Sequence, residues 1–375
     1  MSVGERTRQL RELFAMSQSH LAQLSGVTQG LISQIEHGRT EPSDETVKAL
    51  ATALGVGTGW LKRGQVVVLP EGTLKFRRRA SASERSLLEA RRRLEILTEV
   101  IRELSVGVRL PRLRLRMYSP PNGFSQIEDM ARVTRELLSI PPSGPIHHLT
   151  RAAERAGVFV VRIATETDVH DGISVWRSEQ EFPLLACRSE IAGDRQRFTI
   201  AHELGHLIMH SIDFDLHQAE SQANAFAGAL LMPREDAIEA LSGATLRNLV
   251  RLKSFWGISI QALIQRSKAL ELISSEYAGS LYKQLSARGW RTNEPVNVET
   301  ENPRLLNDLL ENKYGKAYDI VAIARKFEVS PIVMNLILAH GSKPSENFSS
   351  LARLGTRSPG IESGSLSPRG GRGIE

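Results

Sequence analysis

The residues with the most definite chemistry lie in Arg197-Phe-Thr-Ile-Ala-His202-Glu203-Leu-Gly-His206-Leu-Ile-Met-His210. The apolar run Phe198, Ile200, Ala201, Leu204, Leu207 and Ile208 predicts a helix, which puts His202 and His206 one turn apart on a shared face. Two imidazoles so spaced can grip one metal ion. Glu203 lies about 100° round from His202, too displaced to complete that grip but well placed to take a proton from a water on the metal. The chemistry on offer is metal-assisted hydrolysis. His210 continues the ladder, yet at about 12 Å along the axis from His202 it cannot reach the same ion, and it is expected to brace the site from behind.

A catalytic zinc takes three protein ligands and keeps a fourth position open, so a third donor is sought downstream. The stretch His217-Gln-Ala-Glu220-Ser-Gln-Ala-Asn224-Ala-Phe226-Ala-Gly-Ala-Leu-Leu231-Met-Pro233 supplies one. Ala223, Phe226, Ala227, Leu230 and Leu231 mark a second helix, and Glu220 is its only carboxylate. Asn224, one turn on, can hydrogen-bond a ligand imidazole. His217, Asp213 and Asp215 rank below Glu220 as alternative donors. The group that would stabilise an oxyanion stays open among His210, His217 and His170.

His-Glu-Leu-Gly-His, then Glu-x-x-Ala-Asn-x-Phe-Ala and Leu-Leu-Met-Pro, together resemble the ImmA/IrrE family of metallo-endopeptidases over residues 145–295. The resemblance implies a zincin-like α+β domain with zinc held by His202, His206 and Glu220, and Glu203 as the catalytic base. It also implies a protein substrate, since members of that family cut repressors of the Cro/CI type that are usually encoded separately. Around this segment the sequence predicts a helix at 147–156 and short strands at 158–163, 171–176 and 183–186. A small sheet beside the metal helix would offer an edge on which an extended peptide could pair. Arg195 and Arg197, at the entrance of the metal helix, are candidates to bind substrate carbonyls or simple surface residues.

Residues 1–64 read as five short helices. Ser17 caps one helix with Leu21, Ala22 and Leu24 facing inward, Gly26 turns the chain, and Thr28 opens a second helix through Glu36. This helix-turn-helix resembles the Cro/CI (XRE) family, with Arg11 and Glu36 as an intradomain ion pair and Leu50-Ala51-x-Ala-Leu54-Gly-Val56 before Trp60-Leu61. In that fold the second helix enters the major groove of double-stranded DNA, so Thr28, Gln29, Gly30, Ser33 and Gln34 would face base edges or phosphates, with Gln18 and Arg39 beside them. The alternative is a module that only docks or dimerises. Residues 1–60 hold five Arg or Lys against six Asp or Glu, so a lone domain should bind DNA weakly.

The basic charge lies next door, with fifteen Arg or Lys against six Glu between 61 and 120. Lys75-Phe-Arg-Arg-Arg79 and Arg112-Leu-Arg-Leu-Arg116 either track phosphates or form a solvated face. Inside this segment, 83–104 predicts a helix with Leu87, Ala90, Leu94, Leu97, Ile101 and Leu104 at alternating three- and four-residue steps. That seam fits a short coiled coil in a homodimer, or packing against the chain's own hydrolytic domain.

The expected architecture is therefore mainly α. It comprises a five-helix helix-turn-helix domain (1–64), a basic helical linker (65–124), an α+β metallopeptidase domain (125–295), a helical C-terminal region (296–341) and a disordered tail (342–375). Two later helix-turn-helix lookalikes, at 246–266 and 322–334, are read as core-building caps because their second helices are apolar. A chain of 375 residues, 41% apolar, can bury such cores. One cysteine excludes a disulfide framework, and the absence of a signal core or spanning run predicts a cytoplasmic protein without a membrane partner. The combined expectation is a DNA-binding transcriptional or stress regulator fused to a zinc-dependent endopeptidase. The rival expectation is a regulator whose protease-like domain is a non-catalytic sensor or scaffold.

Overall fold

A computed structural model describes residues 3–64, 67–69, 84–163, 171–176, 178, 181–210 and 216–338. The basic run 75–79, His170, Asp213, Asp215 and the segment 342–375 lie outside the described residues, and of His217 only its place on a helix is described. Among the described residues there are seventeen helices and one three-stranded sheet. None of these helices is long and apolar enough to cross a membrane.

The first five helices are α1 (Val3–Leu13), α2 (Gln18–Ser25), α3 (Gln29–Glu36), α4 (Asp44–Ala53) and α5 (Thr58–Leu61). Their boundaries follow local chemistry. Ser17, Thr28 and Ser43 each accept a hydrogen bond from a backbone N–H in the first turn they open, and Gly26 ends α2 with φ 72°, a conformation that suits glycine. Arg11 and Glu36 form the expected ion pair, bidentate at 2.6 and 2.9 Å.

Helix α6 (Glu84–Ser105) carries the seam that the sequence offers equally to a dimer or to the chain itself. In the structure the chain covers it: Leu94, Leu97, Ile101 and Leu104 are buried against α1, the strand β3 (Leu184–Arg188) and helices α15 (Leu305–Tyr314) and α17 (Pro331–Ile337). Each such side chain contributes about 1.5–3 kcal/mol on burial. The polar flank is tied as firmly. Arg6 reaches Glu99 at 2.8 Å, Gln9 donates to Glu95 at 3.2 Å, and Arg92 reaches Glu12 at 2.7 Å, so α1 and α6 share charged pairs along their length.

The sheet has the order β1-β3-β2, with β1 (Phe159–Ile163) parallel to β3 and β2 (Gly172–Val175) antiparallel to it. Because successive side chains alternate faces, it divides the protein into two hydrophobic cores. Phe159, Val161, Ile163, Ile173, Val175, Leu184 and Ala186 face one core, which they share with α1 to α6, α15, α16 (Ile320–Lys326) and α17. Val160, Leu185 and Cys187 face the other, built from α7 (Phe124–Leu137), α8 (Leu149–Arg155), α9 (Gly193–Met209), α10 (Leu216–Leu231), α11 (Arg234–Leu241), α12 (Leu246–Trp256), α13 (Ile260–Ala269) and α14 (Ser275–Ala287). The segments 1–64, 84–105 and 305–338 thus fold around one core, although they lie at opposite ends of the chain. Both lookalike helix pairs turn their second helices inward: Ile260, Leu263 and Ile264 of α13, and Val333, Met334, Leu336 and Ile337 of α17, are buried.

Candidate metal centre

Helix α9 is buried on nearly every side, and its N-terminal half is clamped by residues distant in sequence. Arg197 is buried and reaches Glu301 at 2.5 Å and the Ile146 carbonyl at 2.5 Å, so it holds the helix and is unavailable to substrate carbonyls. Glu301 also accepts from the backbone N–H groups of Leu149 and Thr150. Asp194 in the first turn meets Lys253 at 2.5 Å, and Lys253 also meets Glu294 at 2.9 Å. Arg195 instead sits half-exposed, paired with Asp171 at 2.6 Å. At the other end Gly205 allows α10 to come close, since a Cβ there would stand 2.9 Å from the Phe226 ring.

That close approach brings three donors together. His202, His206 and Glu220 place one ligand atom each within 4.8 Å of one another, the group among the described residues able to hold a metal ion. His202 Nε2 lies 2.8 Å from His206 Nε2, and Glu220 lies 3.1 Å from His206 Nε2 and 3.6 Å from His202 Nε2. The far side of each ring fixes its tautomer. His202 Nδ1 lies 2.9 Å from Asn224 Oδ1, an acceptor, so that nitrogen carries the proton. Gln222 Nε2 donates to the Pro121 carbonyl, which turns Gln222 Oε1 towards His210 Nε2 at 2.9 Å; His210 Nδ1 then accepts from His206 Nδ1 at 3.0 Å.

Both ligand histidines therefore aim an Nε2 lone pair at the same point. Two lone pairs 2.8 Å apart beside a carboxylate repel unless a cation or proton lies among them, so the donor set fits a divalent metal ion. The carboxylate matches this role. Burial alone would raise the Glu220 carboxyl, but with His202 and His206 protonated their hydrogen bonds and charge outweigh it and bring it to about 2, and a cation among the three donors would take over that role when the rings are neutral. Burial lowers His210 to about 4, which suits a neutral ring bridging His206 and Gln222.

Glu203 points to a different neighbour. It is buried beside β2, where Ser174 Oγ donates to its Oε2 at 2.7 Å, and a Cβ on Gly172 would come within 2.9 Å of its Cγ. Sequence reasoning missed Ser174, Gln222 and the bracing role of Arg197. Gln222 stands two residues past Glu220, a position that a helix turns away from the metal, and that offset was the signal available for it. No local pattern marks Ser174, which meets Glu203 across 29 residues of chain.

In the helix-turn-helix, Thr28, Gln29, Gly30, Gln34 and Arg39 are exposed, while Gln18 and Ser33 are half-buried. Gln29 Nε2 donates to Gln18 Oε1 at 2.9 Å, and Gln18 Nε2 donates to Glu36 at 2.9 Å, so a polar chain runs from the surface of α3 to the Arg11–Glu36 pair. Thr28 Oγ1 caps α3 by accepting from Leu31 N–H, and Thr40 donates to Gln34 at 3.3 Å. A Cβ on Gly30 would meet nothing within 4 Å, so no neighbour in the chain accounts for the glycine. In the basic stretch, Arg112, Arg114 and Arg116 are exposed and alternate with inward Leu113 and Leu115.

These two arrangements fit a helix-turn-helix domain and a metallopeptidase-type domain on one chain. Residues 8–61 match the helix-turn-helix family, and residues 153–268 match the peptidase family described as the IrrE N-terminal-like domain. Over these stretches the chain is similar to XRE-type helix-turn-helix domains and to ImmA/IrrE-type peptidase domains.

Proposed function

We propose that the protein is a zinc-dependent endopeptidase built onto a DNA-binding regulator. The observation that carries this reading is the convergence of His202, His206 and Glu220 with Glu203 buried one position along the same helix. A structural zinc site has no need of such a base. A zinc ion held by the three donors would supply Lewis acidity for peptide-bond hydrolysis. His202 and His206 are oriented by Asn224 and His210, and Glu220 keeps its charge. Glu203, steadied by Ser174, accepts a proton from the attacking water and passes it to the leaving amide nitrogen.

Strand β2 pairs with β3 on one side only among the described residues, which leaves an edge beside Glu203 where an extended peptide can lie. The family resemblance favours a repressor-type regulatory protein as that substrate: a separate repressor, or this chain's own helix-turn-helix. The exposed face of α3 would enter the major groove, with Gln29, Gly30, Ser33 and Gln34 at base edges, Thr28 and Arg39 at phosphates, and Gln18 bracing Gln29.

The test is elemental analysis of the wild type and of His202→Ala, Glu220→Ala and Glu203→Gln, each incubated with helix-turn-helix repressors. The expected result is one zinc per chain in the wild type and in Glu203→Gln, loss of zinc in the other two, and cleavage by the wild type alone. Cleavage retained by Glu203→Gln would sink the mechanism. Zinc bound without cleavage of any repressor would leave the domain a sensor or scaffold.

A further inference from the structure

Residues 50–61 and 323–334 are two copies of one local structure. In each, a helix ends on an apolar residue (Leu54, Phe327), the next residue takes the left-handed conformation (Gly55 φ 67°, Glu328 φ 55°), a valine follows (Val56, Val329), and Gly57 or Ser330 stands before the next short helix. The turn hydrogen bonds repeat position by position. Leu54 N–H donates to Leu50 and Phe327 N–H to Ile323; Gly55 donates to Thr52 and Glu328 to Arg325; Val56 donates to Ala51 and Val329 to Ala324.

The two units meet face to face. Val56 pairs with Val329 in an antiparallel bridge, Gly57 N–H donates to the Glu328 carbonyl at 2.6 Å, and Ser330 N–H donates to the Gly55 carbonyl at 2.8 Å. Exchanging the units converts one of these bonds into the other, so a local pseudo-twofold axis passes through the valine pair. Trp60 of the first unit packs on Phe327 of the second, ring centroids 6.3 Å apart, and both are buried. A surface that pairs with its own backbone pattern about a twofold is the kind that joins identical subunits.

Side chains decide which pairs can form. The Glu328 carboxylate lies over Gly57 and Gly59, where an added Cβ would stand 2.7 and 2.3 Å from its Oε2. Across the axis Gly55 projects no side chain, and Ser330 and Ile332 carry theirs. Two 323–334 units would drive each Glu328 into the other's Ser330 and Ile332. Two 50–61 units would set Gly55 against Gly57 and Gly59, which is open but less filled than the pair with Glu328.

We propose that α16–α17 is a built-in surrogate for a second helix-turn-helix domain, occupying the 50–61 face by which two copies of this chain would otherwise pair. A tethered unit acts at an effective concentration on the order of millimolar, so it outcompetes a second chain at ordinary protein concentrations. The helix-turn-helix domain is thereby held single, and displacing α16–α17 frees it to pair with its copy and span two half-sites. This proposal does not depend on the metal centre.

The valine pair allows a direct test in the full chain. Residues at a non-hydrogen-bonded antiparallel position have Cα atoms about 4.5 Å apart, within disulfide reach. The single native cysteine, Cys187, is buried and adds no background. On mild oxidation Val56→Cys/Val329→Cys should close an intrachain disulfide. Val56→Cys alone should remain a monomer by light scattering, and adding Phe327→Asp should raise disulfide-linked dimer at least tenfold. Interchain crosslinking of Val56→Cys alone, a readout that needs only mild substitutions, overturns the proposal. So does a Phe327→Asp chain that stays folded by circular dichroism yet forms no dimer. Val329→Asp, which places the charge on the axis opposite residue 56, is the second opening variant with the same two outcomes if Phe327→Asp does not fold.

Discussion

Ser174 Oγ on strand β2 donates to Glu203 Oε2 at 2.7 Å, so the acid beside His202 is held by the sheet as well as by its own helix. Ser174→Ala should remove one of the contacts that orient Glu203 and lower kcat about tenfold, a fraction of what a general base contributes. KM and zinc content should stay unchanged, and Ser174→Thr should recover most of the loss. Steady-state kinetics on a cleavable repressor check this; an unchanged kcat would remove Ser174 from the machinery.

Asn224 and Gln222 touch the ligand rings from behind, one directly and one through His210. Asn224→Ala should weaken metal affinity about 10–100-fold, as loss of such partners does. Gln222→Ala should weaken it less, because His210 still packs on His206. Competition with a chelator of known affinity measures both, and equal affinities in all three proteins would refute the tautomer assignment.

The Arg197–Glu301 pair clamps α9 to a segment about a hundred residues downstream. Glu301→Ala strands a buried guanidinium and frees two backbone donors, at a cost of about 3–5 kcal/mol. Glu301→Gln should cost less, since it still accepts from Leu149 and Thr150. Urea denaturation gives the values, and a loss under about 1 kcal/mol for the alanine variant would show that the clamp contributes little.

Glu12 sets a pH dependence at the contact between α1 and α6. Burial alone would raise its carboxyl, but hydrogen bonds and charge from Arg8 and Arg92 outweigh it and hold the folded value below the usual one. Its stabilisation is therefore complete above the unfolded value of about 4.3 and is lost as pH falls through the folded value. Glu12→Gln should cost about 1–2 kcal/mol at pH 7 and show a flatter acid limb than the wild type. Nearby Glu99 has the opposite sign, because burial pushes its carboxyl up against the pull of Arg6, so its contribution grows as pH falls. Thermal melts between pH 3 and pH 7 separate the two.

Much of this protein was legible in its sequence because the signals are local. His202, Glu203 and His206 are ordered by helical spacing, Ser17, Thr28 and Ser43 announce helix starts by what their hydroxyls can accept, and the seam of α6 is visible as a periodicity. Those patterns state which face is buried and leave open what covers it. Only the tertiary structure decided that α6 is covered by its own chain, that Arg197 turns inward, and that Ser174 reaches Glu203, because each contact joins residues whose separation leaves no periodic trace. The same holds for the sheet that divides two cores and for Val56 meeting Val329: the repeated turn was present in the sequence, but its pairing across a pseudo-twofold arises only when both ends of the chain fold around one core.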